Sequence, residues 1–225
     1  MSSFDASRML SFDLETTSVN PKEARIVTSA LITIAGASSD TVEMLANPGV
    51  EIPQAAIDVH GITNEKAQAE GREHSEVLDE TISRIRRGWE EGFTLIVFNA
   101  AYDLSVLHAL TNGEFTVTGP VFDPFVVDRW KDPYRKGRRT LGNVCEHYRV
   151  TLGNAHEASA DALAAARVAW KQVNQMWPEL KQLDTDELME QQAVGYYDMQ
   201  TRLHKYLSSR GKDASTVNFS WPMHS

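Results

Sequence analysis

Five residues could do chemistry together if the fold brings them to one place: Asp13, Glu15, Asp103, His156 and Asp161. Asp13 and Glu15 stand two positions apart at the end of an apolar run over residues 9–12. On an extended strand both carboxylates face the same side, where two acids can share a cation. Asp103 lies just past a second apolar run, residues 94–98, in the first turn of a predicted helix, where the helix dipole favours its charge. His156 precedes Asp161 by five positions at the start of an alanine-rich helix, and the small neighbours Ala155, Ala158 and Ala160 permit close approach. Taken singly these features are bland: an Asp-x-Glu pair is usually solvated charge, and an Asp at a helix start is usually a cap. Their weight comes from the conjunction, because each falls at the end of a predicted element.

The elements that must position them follow from the hydrophobic pattern. Residues 9–12, 25–35 and 41–45 read as three strands of an antiparallel meander, closed by Asn47-Pro48-Gly49. Val77, Leu78, Ile82, Ile85 and Trp89 recur at helical spacing over 76–89. The run 94–98 reads as a buried central strand and 102–110 as the helix after it. A short strand at 120–123 and helices at 125–130 and 141–148 follow, with a positively biased loop over 131–139 between those helices. The alanine-rich helix is expected over 158–177, ended by Pro178. Asp184 and Glu187 have capping-box spacing and open a last helix to about residue 207. Its Leu188, Met189, Val194, Tyr197, Leu203 and Leu207 are read as an apolar face that packs back on the body or binds a partner, the first being favoured. In the tail, Phe219 and Trp221 are expected to tuck against the body. The pattern predicts an α/β fold, a mixed sheet with helices on both faces and a C-terminal helical extension. Sites in such folds gather at strand ends.

Composition narrows the classes. The 225 residues are 42% hydrophobic and 24% charged, enough apolar material for one core and an appendage. The longest apolar stretch, residues 30–37, is broken by Thr33 and Gly36 and falls well short of the ~20 residues a membrane span needs. The first residues lack a basic segment followed by an apolar run, so no membrane association and a cytoplasmic location are expected. The single cysteine, Cys145, excludes an intramolecular disulfide framework and a multi-cysteine zinc site and reads as a buried thiol. A net charge of −9 argues against a protein that coats nucleic acid by bulk electrostatics. It does not exclude a nucleic-acid enzyme, since acids gathered around divalent cations present the opposite sign to a phosphate.

In order along the chain, the segments Phe12-Asp13-Leu14-Glu15-Thr16-Thr17, Asn99-Ala100-Ala101-Tyr102-Asp103 and His156-Glu157-Ala158-Ser159-Ala160-Asp161-Ala162 resemble the three motifs of the DnaQ-like (DEDDh) 3′–5′ exonucleases, the family of proofreading epsilon subunits of bacterial DNA polymerase III. Val59-His60-Gly61-Ile62-Thr63 resembles that family's substrate-side loop. The resemblance covers roughly residues 8–175 and implies a ribonuclease H-like sheet. It makes residues 1–178 the exonuclease domain and 179–225 a helical extension and tail. It further implies Asp13, Glu15, Asp103 and Asp161 as holders of two divalent cations, Mg2+ or Mn2+, and His156 as general base. Elementary chemistry agrees: phosphodiester hydrolysis needs a nucleophile made from water and a stabiliser for charge on phosphate oxygens, which two cations supply. Hard oxygen ligands suit magnesium and manganese, and imidazole titrates near neutrality.

The same resemblance places Thr16, Thr17, His60 and Asn99 around the 3′-terminal nucleotide. Phe98 stands where proofreading relatives often carry a histidine. Lys131, Arg135, Lys136, Arg138 and Arg139 form the dense basic stretch, and a strand's phosphates could be guided there, with Arg138 as the candidate contact. The implied activity is removal of nucleoside 5′-monophosphates from the 3′ end of single-stranded DNA, alone or attached to a polymerase subunit. Two alternatives stay open, RNA trimming by the same chemistry and a non-catalytic nucleic-acid-binding module. A phosphatase built on an aspartate pair is disfavoured by Glu15 at the second position, and a dinucleotide fold by the lack of a glycine-rich turn after the first strand.

Overall fold

A computed structural model describes residues 3–153 and 156–224. The chain opens with a meander of β1 (Arg8–Thr16), β2 (Ile26–Ala35) and β3 (Ser38–Asn47), paired antiparallel. Two helices of seven residues follow, α1 (Gln54–His60) and α2 (Asn64–Glu70), then the two-residue β4 (Arg72–Glu73) and α3 (His74–Glu90). Alternation then takes over with β5 (Thr94–Ile96), α4 (Ala100–Leu110), β6 (Val121–Phe122) and α5 (Pro124–Lys131). The chain continues with α6 (Leu141–Tyr148), α7 (Ala158–Lys171) and the long α8 (Thr185–Ser209). The six strands form one mixed sheet in the order β4-β3-β2-β1-β5-β6, in which β5 runs parallel to both β1 and β6. This is the mixed sheet flanked by helices, with C-terminal helices, that the pattern predicts.

Strand β1 is buried on both faces, and its parity sorts the site. Leu10, Phe12 and Leu14 enter the core shared with α3 and α4, beside Val77, Ile85 and Leu104. The opposite face carries Met9, which packs with Ala165, Ala166 and Ala169 of α7. Ser11 on that face donates its hydroxyl to the Ala162 carbonyl at 2.6 Å. Asp13 and Glu15 share this parity, so they emerge on the α7 side. The alanines explain the close fit of α7, since Ala158, Ala162, Ala165 and Ala169 recur along one helix face and each is at most 2% exposed.

Four differences from the sequence pattern have physical reasons. Helices α1 and α2 are too short to show periodicity; they are framed instead by local signals, Pro53 before α1, Gly61 in left-handed conformation after it, and the Thr63 side chain capping α2. The alanine-rich helix stops at Lys171 and widens into a π turn over Gln172–Met176, closed by the Trp177 N–H on the Gln172 carbonyl at 2.7 Å. The Gln172 side chain is fully buried and donates to the Pro124 carbonyl at 2.9 Å. The capping box of α8 forms as predicted, but the packed face is Leu188, Gln192, Gly195 and Tyr196, while Val194, Tyr197 and Leu203 are exposed. Apolar periodicity could not find this face, because its centre is a glutamine whose amide bonds the Val121 carbonyl and the Asp123 N–H. In the tail, Trp221 packs into the core and the His224 N–H donates to the Ser105 hydroxyl at 2.7 Å, whereas Phe219 stays 37% exposed. Cys145 is buried, as expected. Among the described residues no helix is long and apolar enough to cross a membrane.

Candidate active site

The site forms where β1 outruns its neighbour. Strand β5 pairs only with Met9, Leu10 and Ser11, so the last residues of β1 project past its end and leave room beside them. Into that space comes the start of α4. Asn99 adopts a left-handed conformation at the turn, and the Asn99 and Ala100 N–H groups donate to the two carboxylate oxygens of Asp123 at 2.9 and 2.8 Å. Asp123 also caps α5, accepting from the N–H groups of Phe125 and Val126, so one fully buried carboxylate ties two helix starts together. Burial pushes Asp123 up to about 6 against the opposing pull of these donors. A lone Asp before a proline carries a cap signal but nothing about α4, so this role was not legible.

Held this way, α4 aims Asp103 at β1. Its Oδ1 accepts the Leu14 N–H at 3.1 Å, on the backbone between Asp13 and Glu15. From the other face, α7 delivers Asp161 in its first turn, and the His156 backbone hydrogen-bonds the Asp161 carboxylate. His156 is exposed and has a φ of 70°, a strained conformation for a residue with a side chain. One oxygen each from Glu15 and Asp161 and one ring nitrogen of His156 lie within 4.8 Å of one another.

The cluster is electrostatically expensive as it stands. Burial, then the charges of Asp103, Glu15 and Asp161, hold the Asp13 carboxyl well above the carboxylate range. Burial raises Asp103 too, with Glu15 adding to it, and burial plus Asp161 pushes Glu15 up to about 7. Asp161 is also raised by burial, and its buried Oδ1 has no hydrogen-bond partner. Four mutually repelling carboxylates, one with an orphaned oxygen, form a hard-oxygen donor set that fits divalent cations.

All five residues line one open cavity of about 580 Å³. Asn99 and Arg138 of the expected substrate contacts line it as well, with Phe98 and Phe125 as an apolar wall and Tyr102, Arg129 and Thr140 besides. The other expected contacts lie outside that lining. Thr17 is buried and its hydroxyl accepts the Arg25 N–H at 3.0 Å. Thr16 is hydrogen-bonded to the Tyr102 hydroxyl at 2.5 Å, which also donates to the Ser18 carbonyl, so Thr16 reaches the cavity through Tyr102. His60 is buried at the end of α1, where Nδ1 accepts the Ile62 N–H at 3.1 Å and burial lowers its proton affinity.

The basic stretch divides in the structure. Arg135 and Arg139 converge on Asp128, a fully buried α5 residue, with Arg135 Nη2 at 2.6 and 2.7 Å and Arg139 Nη1 at 2.5 Å. The Tyr148 hydroxyl completes the knot at 2.9 Å. Lys131 pairs with Glu179 at 2.5 Å. Among the described residues, Lys136 and Arg138 stay exposed and without an ion pair, and Arg138 faces the cavity. Charge counting in the sequence could not distinguish the arginines that anchor this loop from the one it presents.

Carboxylates from the end of β1 and from the first turns of α4 and α7 thus meet around one open cleft, a donor set that could hold divalent cations. The chain matches the RNase T-type exonuclease family over residues 10–169 and belongs to it, within the DnaQ-like 3′–5′ exonucleases. It is 28% identical over 168 residues, 73% of its length, to the PolC-type DNA polymerase III of Oceanobacillus iheyensis and 26% identical over 163 residues to that of Listeria monocytogenes, covering 11% of each polymerase. Among solved structures, E. coli Exonuclease I in complex with an oligonucleotide superposes with a TM-score of 0.63 at 19% identity over 78% of this chain and 42% of that one. Exonuclease X in complex with 5′ overhanging duplex DNA gives 0.57 at 14% over 82% and 99%. Those two likenesses are of fold.

Proposed function

We propose that the chain hydrolyses the last phosphodiester at the 3′ end of single-stranded or frayed DNA and releases a nucleoside 5′-monophosphate. The observation that carries this reading is the convergence of Asp13, Glu15, Asp103, Asp161 and His156 on one open cavity. Asp13, Glu15, Asp103 and Asp161 would hold two divalent cations, magnesium or manganese, which when bound activate water and offset charge on the phosphate oxygens. His156, exposed at the cavity mouth, takes the proton of the attacking water. The new bond joins that water oxygen to phosphorus, and the bond to the 3′ oxygen of the preceding nucleotide breaks. Arg138 and Asn99 bind the phosphate and sugar of the strand, and Phe98 and Phe125 give the terminal base an apolar wall. Thr16 acts by fixing Tyr102, and Thr17 and His60 shape the backbone behind the cleft. Residues 1–178 are taken as the nuclease domain and 179–225 as its extension. The similarity to polymerase III chains favours a proofreading role beside a polymerase subunit.

Product analysis tests this. With Mg2+, a 5′-labelled single strand should shorten one nucleotide at a time with release of 5′-monophosphates, and a 3′-phosphorylated strand should resist. Release of oligonucleotides, or of 3′-monophosphates, would overturn it.

A further inference from the structure

A second cavity, of about 460 Å³, opens between α5 and α8. It shares Asn99, Phe125 and Arg129 with the catalytic cavity, so the two adjoin. Its far wall is α8, which begins beyond the residues that match the exonuclease family. Close approach of the two helices depends on Gly195, where a Cβ would lie 2.8 Å from the Trp130 Cβ. Past that contact, Met199, Arg202, Leu203 and Tyr206 follow at helical spacing along the groove. From Gly195 to Tyr206 this wall runs about 16 Å, and a stacked strand at about 3.4 Å per nucleotide would place four to five nucleotides along it.

Its chemistry is that of a nucleic-acid track. Leu203 and Tyr206 are 43% and 54% exposed, large apolar surfaces that folding leaves uncovered. Arg129 lies 5.6 Å over the Phe125 ring, and its buried Nε has no hydrogen-bond partner. Arg202 is exposed and makes no ion pair among the described residues. Asp198 is the one carboxylate in the lining, which leaves the groove net positive on a chain of net charge −9. Rings and guanidiniums that lead directly to a phosphodiester-cleaving site fit an extended single strand.

We propose that the groove between α5 and α8 holds the single strand on the 5′ side of the scissile bond, with bases against Leu203 and Tyr206 and phosphates toward Arg129 and Arg202. This rests on the nuclease reading above and adds a binding site supplied by the C-terminal extension. Stacking of one base on an aromatic ring commonly strengthens binding about tenfold or more.

The test uses the full chain in chelator, with 5′-fluorescein deoxyadenosine trimers and decamers read by anisotropy. Wild type should bind the decamer at least tenfold tighter than the trimer, and an R202A/Y206A double variant should lose most of that gain. Both residues are exposed, and circular dichroism checks that the variant folds. A 5-iodouracil four or five nucleotides from the 3′ end should crosslink to α8. A variant that keeps the wild-type length dependence, or crosslinks confined to other elements, would overturn the groove as the strand's binding site. Wild type that neither binds nor cleaves either length with Mg2+ would instead overturn the nuclease reading, and the groove with it.

Discussion

Neutralising Asp103 should stabilise the cation-free protein above neutral pH, although it removes a residue of the site. A carboxyl held above its ordinary value favours the fold at low pH, and that contribution is lost as pH rises through the folded value. Asp123 at about 6 and Glu15 at about 7 set the window, from about pH 4 to above 7. At about 1.4 kcal/mol per pH unit, Asp123 alone gives on the order of 3 kcal/mol, and the part-buried Glu15 about 2 kcal/mol after discounting for solvent. Asp13, raised by burial and then by the charge of Asp103, and Asp103, raised by burial and by Glu15 and Asp123, extend the loss upward. In Asp103→Asn the side-chain oxygen still accepts the Leu14 N–H, while one charge leaves the cluster. About 2 kcal/mol of relief would raise the melting temperature in chelator at pH 8 by roughly 4–8 °C. Mg2+ or Mn2+ at a hundredfold above its dissociation constant adds about 2.7 kcal/mol to wild type, and the variant should lose most of that response. Thermal melts from pH 5 to 8.5, with and without cation, read both effects. A wild-type melting temperature indifferent to cations at pH 8, or a variant less stable than wild type in chelator, would mean that Asp103 is not part of a repulsive cluster that cations relieve.

Three further outcomes follow from particular contacts. Asp128→Asn strands two guanidiniums in the interior and should cost about 3–5 kcal/mol in urea unfolding, with a raised KM because the loop bearing Arg138 loses its anchor. His156→Ala should lower kcat by about 10² to 10⁴ while strand affinity in chelator changes little. Gly195→Ala forces α8 away from Trp130 and should destabilise by about 1–3 kcal/mol, measurable by thermal melt.

How much of this was legible in the sequence depends on the distance over which the signal acts. The strand leading to Asp13 and Glu15, the turn before Asp103 and the cap of α8 are local patterns that appear in the structure, although β1 runs on through both acids to Thr16 where the pattern ends the strand at residue 12. The sorting of β1 was half visible. Its two-sided burial hides alternation, yet the parity that puts Asp13 and Glu15 on the α7 face needs only the strand assignment. What could not be read were polar contacts across elements: Asp123 joining α4 to α5, Asp128 gathering Arg135, Arg139 and Tyr148, and Gln192 of α8 buried against Val121 and Asp123. Each reads as an ordinary solvent-facing side chain in one dimension, because its partners belong to other elements of the fold. Thr17 and His60 are a different case: their partners, the Arg25 and Ile62 N–H groups, are near in sequence, and what the sequence does not show is the burial of both side chains.

If Asp13, Glu15, Asp103, Asp161 and His156 cut 3′ ends with divalent cations, as proposed, hydrolysis requires both the cation and the carboxylates. The most direct measurement follows 5′-labelled DNA and RNA of equal sequence with Mg2+, with Mn2+ and with chelator, beside Asp13→Ala. The expected result is a ladder that shortens from the 3′ end only with cation, vanishes in the variant and runs faster on DNA. Shortening that persists in chelator or in Asp13→Ala would contradict it, as would an intact strand under every cation.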